Sequence, residues 1–294
     1  MITIAGVFAS AVTLARPGRG RLRAPQRLQS WPGIVHGGGL LAALDDAAAR
    51  AGLAGAPRVL EARLTSSVPV ETELDLDGRA HDGVVTVTVF QDGQTLTSAS
   101  VTPLRSDDRA AAPLWRGGAR GFSLPLSEDC LACGARNPLG LQAGLHFDDE
   151  GVWARLVPRE PWSTGAGTLH PAIAPVLLDE IAWWLGALVM KEGGLTNRIS
   201  VTLLDGALPA GTPLIGVGRF DQVEPVDRKR TFWRTASALL TEAGDLLATA
   251  SIVFRGGADY SSRQMSYFRD RTPPDLFRRM FPGYARSADP GVSC

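Results

Sequence analysis

Two short stretches carry residues able to stabilise charge. His36-Gly37-Gly38-Gly39 opens an apolar run, Leu40 to Ala48, that encloses Asp45 and Asp46. Bare glycines let a ligand approach the backbone closely. The first amides of a helix starting here have no internal partners and sit at the positive end of its dipole. Such amides hold an oxygen that is gaining negative charge. The other groups in the stretch able to do chemistry are its carboxylates. Asp45 cannot serve its own helix start, because 1.5 Å of rise per residue puts it about 13 Å along the axis. A looser copy, His170-Pro171-Ala172 followed by Asp179-Glu180, raises the same chemistry. There Pro171 has no amide hydrogen, Ala172 carries a Cβ, and Pro175 makes the helix start late. The second turn is therefore the poorer anion site. Asp179 itself reads either as a catalytic acid or as a first-turn acid complementing the dipole of its own late-starting helix.

Both stretches belong to a longer repeat. His36 matches His170, Asp45 matches Asp179, Asp46 matches Glu180 and Gly52 matches Gly186, all at one offset. Arg21-Leu22 matches Arg155-Leu156 at that offset too. After a short insertion Arg58-Val59 matches Arg198-Ile199, and later DGQTLTSASV (92–101) resembles AGDLLATASI (243–252). Matched blocks in one order mark a tandem duplication. Each copy reads as two strand-like segments, one long apolar helix, and three strand-like runs. The opening segments are AGVFASAVTLA and GRLRAP in the first copy, and LQAGLHF and GVWARLVP in the second. The last run of each copy is a hairpin, turning at Asp92-Gly93 and Ala243-Gly244. A helix that is apolar nearly all round must be enclosed, and a curved antiparallel sheet encloses it. The predicted class is α+β, with one wrapped helix per repeat and the two sheets joined edge to edge. The expected boundaries are a first repeat over 1–104, a Pro-, Gly- and charge-rich linker over 105–138, a second repeat over 139–256, and a polar, basic tail over 257–294 outside the sheet.

Val35-His36-Gly37-Gly38 followed by Asp45, together with CLACGARNPLGL at the opening of copy two, resembles the hotdog-fold acyl thioesterases, most closely the phenylacetate-pathway branch. The likeness covers about residues 1–256 and implies a double hotdog. It implies that glycine amides at the helix start polarise a thioester carbonyl. A carboxylate from the other repeat then activates water or attacks. With the helices paired antiparallel about a pseudo-twofold axis, site one joins His36, Gly37, Gly38 and Gly39 to Asp179, with Glu180 beside it. Site two joins His170-Pro171-Ala172 to Asp45. Site one is the expected active one. His36 reads as an orienting residue more readily than as a base. Trp183, one turn beyond Asp179, and its neighbour Trp184 line an acyl pocket or fill the core. Arg228-Lys229-Arg230 holds coenzyme A phosphates or an acidic carrier surface, or is a solvated hairpin turn. No cofactor is expected, and the family likeness points to a homodimer.

The rest of the composition narrows the classes. The 294 residues carry a formal net charge of zero, which argues against a general nucleic-acid binder. Cys130, Cys133 and Cys294 are too few for a disulfide framework and fit a reducing compartment. Cys130-Leu-Ala-Cys133 has zinc-knuckle spacing, but no second CxxC or HxxxH supplies more ligands, so two small residues at a chain reversal is the preferred reading. The N-terminal apolar run precedes its positive charges, the reverse of a secretory signal. The run around Asp179 and Glu180 is a poor membrane span because the charged pair sits at its centre. These features point to a cytoplasmic protein. The leading function is hydrolysis of an acyl thioester of coenzyme A or a carrier protein. A non-catalytic binder of such thioesters is the second reading. A hotdog dehydratase is the third, lowered because no Asp and His lie close together on one helix.

Overall fold

The computed structural model describes residues 2–16, 18–50, 57–105, 115, 117–118, 120–165, 167–205 and 207–285, without side-chain detail at 14–16 and 258–259. The first repeat runs α1 (Ile4–Ala11), β1 (Val12–Arg16), β2 (Arg19–Leu22), α2 (Gly37–Ala48), β3 (Arg58–Leu64), β4 (Leu74–His81), β5 (Val84–Gln91) and β6 (Gln94–Pro103). A short β7 (Phe122–Ser123) precedes the second repeat. That repeat runs β8 (Leu145–Phe147), β9 (Gly151–Leu156), β10 (Thr168–Leu169), α3 (Ile173–Met190), β11 (Gly194–Leu203) and β12 (Leu208–Pro209). It ends with β13 (Leu214–Arg219), β14 (Glu224–Pro225), β15 (Phe232–Thr241) and β16 (Leu246–Gly256). Three helices follow: α4 (Ala258–Arg269), α5 (Pro274–Met280) and α6 (Pro282–Ala285).

One antiparallel sheet spans both repeats in the order β1-β2-β4-β5-β6-β3-β11-β16-β15-β13-β9-β8-β7, with β14 beside β15. Read outward from the centre, β3-β6-β5-β4-β2-β1 has the same order as β11-β16-β15-β13-β9-β8. The seam is β3 against β11, in register from Arg58 opposite Leu203 to Arg63 opposite Arg198. The sequence expectation of two like sheets joined at their edges therefore holds. Alternation orients each strand: Val85, Val87 and Val89 of β5 are buried, and Thr86 between them is exposed.

Helix α3 is apolar on nearly every face and touches β9, β11, β13, β15 and β16. It is long and apolar enough to cross a membrane, yet 78% of it is buried inside the protein. Its apolar surface is enclosed by the sheet rather than left for lipid. Helices α2 and α3 pack on each other with almost no separation at one point. A Cβ at Gly38 would fall 2.0 Å from the Pro175 carbonyl oxygen. Only glycine fits there. Gly38→Ala should push the helices apart and cost about 1–3 kcal/mol, as overpacking does. Calorimetry checks this, and unchanged melting would contradict so close a crossing.

Two expectations need correction, and a third needs an addition. The segment read as a first strand, AGVFASAVTLA, is mostly α1, capped by the Thr3 hydroxyl and burying Ile4, Val7, Phe8 and Ala11. That spacing is helical, and the β-branched residues beside it masked the period. The tail lies outside the sheet, but as far as it is described, to residue 285, it also carries apolar faces. Met265, Phe268, Phe277, Met280 and Phe281 are buried on one stripe each of α4 and α5 and at the α5 end, which an average over composition hides. The linker is also structured where described. Leu124 and Cys130 to Cys133 are buried, and the Leu131 amide donates to the Gln29 carbonyl at 2.8 Å.

Candidate active site between the two long helices

The start of α2 is held in place by its flanks. The His36 amide donates to the Leu28 carbonyl at 2.8 Å and the Val35 amide to the Val68 carbonyl at 2.9 Å. His36 is the N-cap, its Nδ1 lying 3.3 Å from the Gly39 amide. Helix α3 begins at Ile173, so Pro175 falls in the first turn, where no amide is required. Asp179 therefore sits well inside α3 and not at its start. It reaches across to α2, where its Oδ2 accepts the Gly38 amide at 2.8 Å. Its Oδ1 accepts the Thr196 hydroxyl at 2.7 Å. Thr196 lies on β11 where the register with β16 slips beside Asn197, and such a bulge re-aims a side chain.

The Gly37 amide donates to no described residue, and Gly37 lines a cleft of about 980 Å³, open mouth included. His36, Asp179, Glu180 and Thr196 face the same cleft, and Trp31, Trp183, Tyr260 and Phe268 form an aromatic wall. Tyr260 and Phe268 come from α4, so the C-terminal helices help to build the cleft.

The buried groups here are tightly linked. His36 Nε2 lies 3.2 Å from Glu180 Oε2, and Nδ1 lies 3.4 Å from Asp179 Oδ2. The two contacts at Nδ1 exclude each other. A neutral ring with its proton on Nε2 accepts the Gly39 amide, whereas a proton on Nδ1 turns that nitrogen towards Asp179. Burial pushes the His36 pKa down, but hydrogen bonds to Cys130 and Glu180 outweigh it and leave the ring well above its ordinary value. Burial raises the Asp179 carboxyl, and His36, Thr196 and Gly38 only partly offset this, so it stays above the usual range. Glu180 ends below its ordinary value, because His36 and the two cysteines outweigh burial. For Cys130 burial is again the largest influence and acts upwards, but the Cys133 and His36 hydrogen bonds bring the thiol down to about 7.

No family model and no curated protein sequence matches the chain. Solved structures do. A conserved protein of unknown function with a hot dog fold from Alicyclobacillus acidocaldarius aligns at TM-score 0.55 and 18% identity, over 85% of this chain and 98% of that one. An acyl-CoA thioesterase II from Mycobacterium marinum aligns at TM-score 0.53 and 15% identity, over 88% and 100%. The dehydratase domain of RzxB from Pseudomonas fluorescens aligns at TM-score 0.55 and 15% identity, over 83% and 96%. The chain is a double hotdog. Identities this low carry the fold and leave the chemistry to the site.

The double hotdog is strongly asymmetric. At the second helix start His170 Nδ1 accepts the Ala172 amide at 3.2 Å, and the Phe8 ring packs against its ring at a tilt, with centroids 5.6 Å apart. Asp45, matched to Asp179 in the repeat, does not line the cleft that Asp179 faces. Both its oxygens are taken by Arg58, at 2.8 Å from Nε and 2.6 Å from Nη2, with the two side chains 7% and 5% exposed. The catalytic assignment of Asp45 is therefore replaced by a buried ion pair. Burial keeps the His170 pKa low, with Asp46 and Asp45 pulling upwards and Arg58 downwards. The other predicted residues divide as follows. Gly39 is buried under Leu131, where a Cβ would meet Leu131 Cδ2 at 2.7 Å, so it packs and does not meet a ligand. Trp183 lines the cleft, and its indole donates to the Gly194 carbonyl at 2.9 Å. Trp184 is in the core against Phe268. Arg228, Lys229 and Arg230 are exposed on the β14–β15 turn and do not line the cleft. Arg255 does line it and pairs with Phe232 just beyond that turn. Sequence reasoning missed Thr196, Arg255 and Cys130. Only Cys130 carried a signal, its CxxC spacing.

Proposed function

We propose that the chain hydrolyses acyl thioesters at the cleft between α2 and α3, with coenzyme A or a carrier protein as the leaving group. The observation that carries this reading is Asp179 of one repeat, held by the Gly38 amide and the Thr196 hydroxyl, facing the start of the other repeat's helix. Asp179 takes a proton from a water molecule, and the hydroxide attacks the thioester carbonyl carbon. The carbonyl oxygen collects negative charge beside the unpartnered Gly37 amide and the N-terminal end of α2. Collapse of that intermediate expels the thiolate. His36 and Thr196 orient the carboxylate. The aromatic wall suits an acyl or aryl group, and Arg255 with the Arg228–Arg230 turn supplies cations for phosphates. On this reading residues 1–104 and 139–256 are halves of one catalytic unit, and the chain completes its site without a partner.

A second reading has one observation in its favour. His36 and Asp179, from different repeats, stand 3.4 Å apart on one wall, an acid and base suited to dehydration of a 3-hydroxyacyl thioester. A panel of short, medium and aromatic acyl-CoAs, with released thiol measured, tests the first reading. The same panel with 3-hydroxyacyl-CoAs, followed by enoyl absorbance, tests the second. Thiol release from at least one acyl group is expected. No release above the uncatalysed rate from any coenzyme A or carrier thioester would sink the hydrolase.

A further inference from the structure

We propose that His36, Cys130, Cys133 and Glu180 form a four-ligand zinc site that fastens the Cys130–Cys133 turn to both long helices. The sequence supplies two ligands at knuckle spacing and leaves the others unidentified, and the fold brings the missing pair to them. Ligand atoms of His36, Cys130 and Glu180 all lie within 4.8 Å of one another. His36 Nε2 is 3.2 Å from Glu180 Oε2, and Cys130 Sγ is 3.7 Å from the same oxygen. Bonds of about 2.0–2.3 Å in a tetrahedron put neighbouring ligand atoms roughly 3.3–3.8 Å apart. Cys133, buried three positions on in the same turn, is the fourth ligand we assign to this three-residue cluster. Two sulfurs, one imidazole and one carboxylate suit zinc in number and softness, and they do not suit magnesium or calcium.

The turn is built as a metal knuckle is built. The Ala132 amide points at Cys130 Sγ at 3.3 Å, and the Gly134 amide donates to the Cys130 carbonyl at 3.0 Å. A Cβ at Gly134 would lie 2.4 Å from the Cys130 nitrogen and 2.6 Å from the Glu128 carbonyl oxygen, so the tight return requires glycine. Amides aimed at sulfur favour the thiolate, the form that binds metal. Outside the set, Asp179 Oδ2 stands 3.4 Å from His36 Nδ1. With Nε2 on the metal, Nδ1–H donates to that carboxylate, the usual outer support of a metal-bound histidine. Four protein ligands make the site a structural one, and metal binding adds directly to folding stability. Both thiols are free in this structure, so neither is committed to a disulfide.

The test uses the full chain, purified without chelator, and no substrate. Metal content is measured by mass spectrometry, and the chelated protein is titrated with Co²⁺ and then with Zn²⁺. About one zinc per chain is expected. Cobalt should give intense visible bands and a near-ultraviolet sulfur-to-metal charge-transfer band, both removed by added zinc. Cys130→Ser, Cys133→Ser and Glu180→Gln should each weaken zinc binding about tenfold or more, and chelation should lower the melting temperature. Glu180→Gln keeps the shape of the site and covers the case in which a cysteine variant fails to fold. Protein that takes up no zinc while alkylation labels both cysteines would overturn the proposal. So would a Cys130–Cys133 disulfide in the native protein, or a cobalt complex without the charge-transfer band. Because no thioester is present, the result stands apart from the hydrolase reading.

Discussion

Asp179→Asn should lower kcat on the best acyl-CoA substrate by about two to four powers of ten, the usual scale for a general base. The substitution keeps the side chain's shape. Its carbonyl oxygen can accept the Gly38 amide, and its amide group can donate to Thr196, whose hydroxyl also accepts. The negative charge is lost, and with it the ability to take a proton from water. Asp45→Asn makes the same chemical change in the matched position of the other repeat. Asp45 is held by Arg58 and does not line the cleft that Asp179 faces. Its loss should change kcat per folded molecule less than about tenfold. Both variants need melting curves, because each alters a buried polar network. The reverse ranking in folded protein would make the His170 turn the working site.

Arg58→Met should destabilise the fold by about 3–5 kcal/mol, since it leaves the Asp45 charge buried without its guanidinium partner. For a chain of this size that is a drop on the order of 10 °C in Tm. The effect belongs to the orphaned charge and not to the loss of an especially strong bond. The double variant Asp45→Leu with Arg58→Met should therefore recover most of the loss, because well-packed apolar replacements of buried ion pairs are often neutral. Calorimetry of the wild type, the two single variants and the double variant decides it. A double variant as unstable as Arg58→Met alone would mean that Arg58 matters through its other contacts.

Much of this was legible because local rules agreed. The Asp92-Gly93 turn, the alternating β5 and the apolar α3 carry their own periods, the repeat offset matched Asp179 to Asp45, and the pairing of helices that the family resemblance implies set Asp179 opposite the glycines. The fate of Asp45 was not legible. Nothing local announces that an arginine near the start of the following strand will fold back to neutralise it. The same holds for Glu180 and His36, which meet the cysteines only because three distant segments converge. Thr196 reaches Asp179 through a register slip that no alternation rule foretells. The apolar faces of the tail helices were hidden for a simpler reason: their buried residues recur every third or fourth position among many arginines, and composition averages them away.

The seam between β3 and β11 makes one continuous molecule of what two identical short chains could form only as a pair. In such a pair each gene change appears twice, so an arginine that neutralises one carboxylate neutralises the other. Joining the copies releases them from that symmetry. One half can hold its carboxylate in a buried ion pair while the other presents the matching carboxylate to an open cleft, and the two halves vary independently.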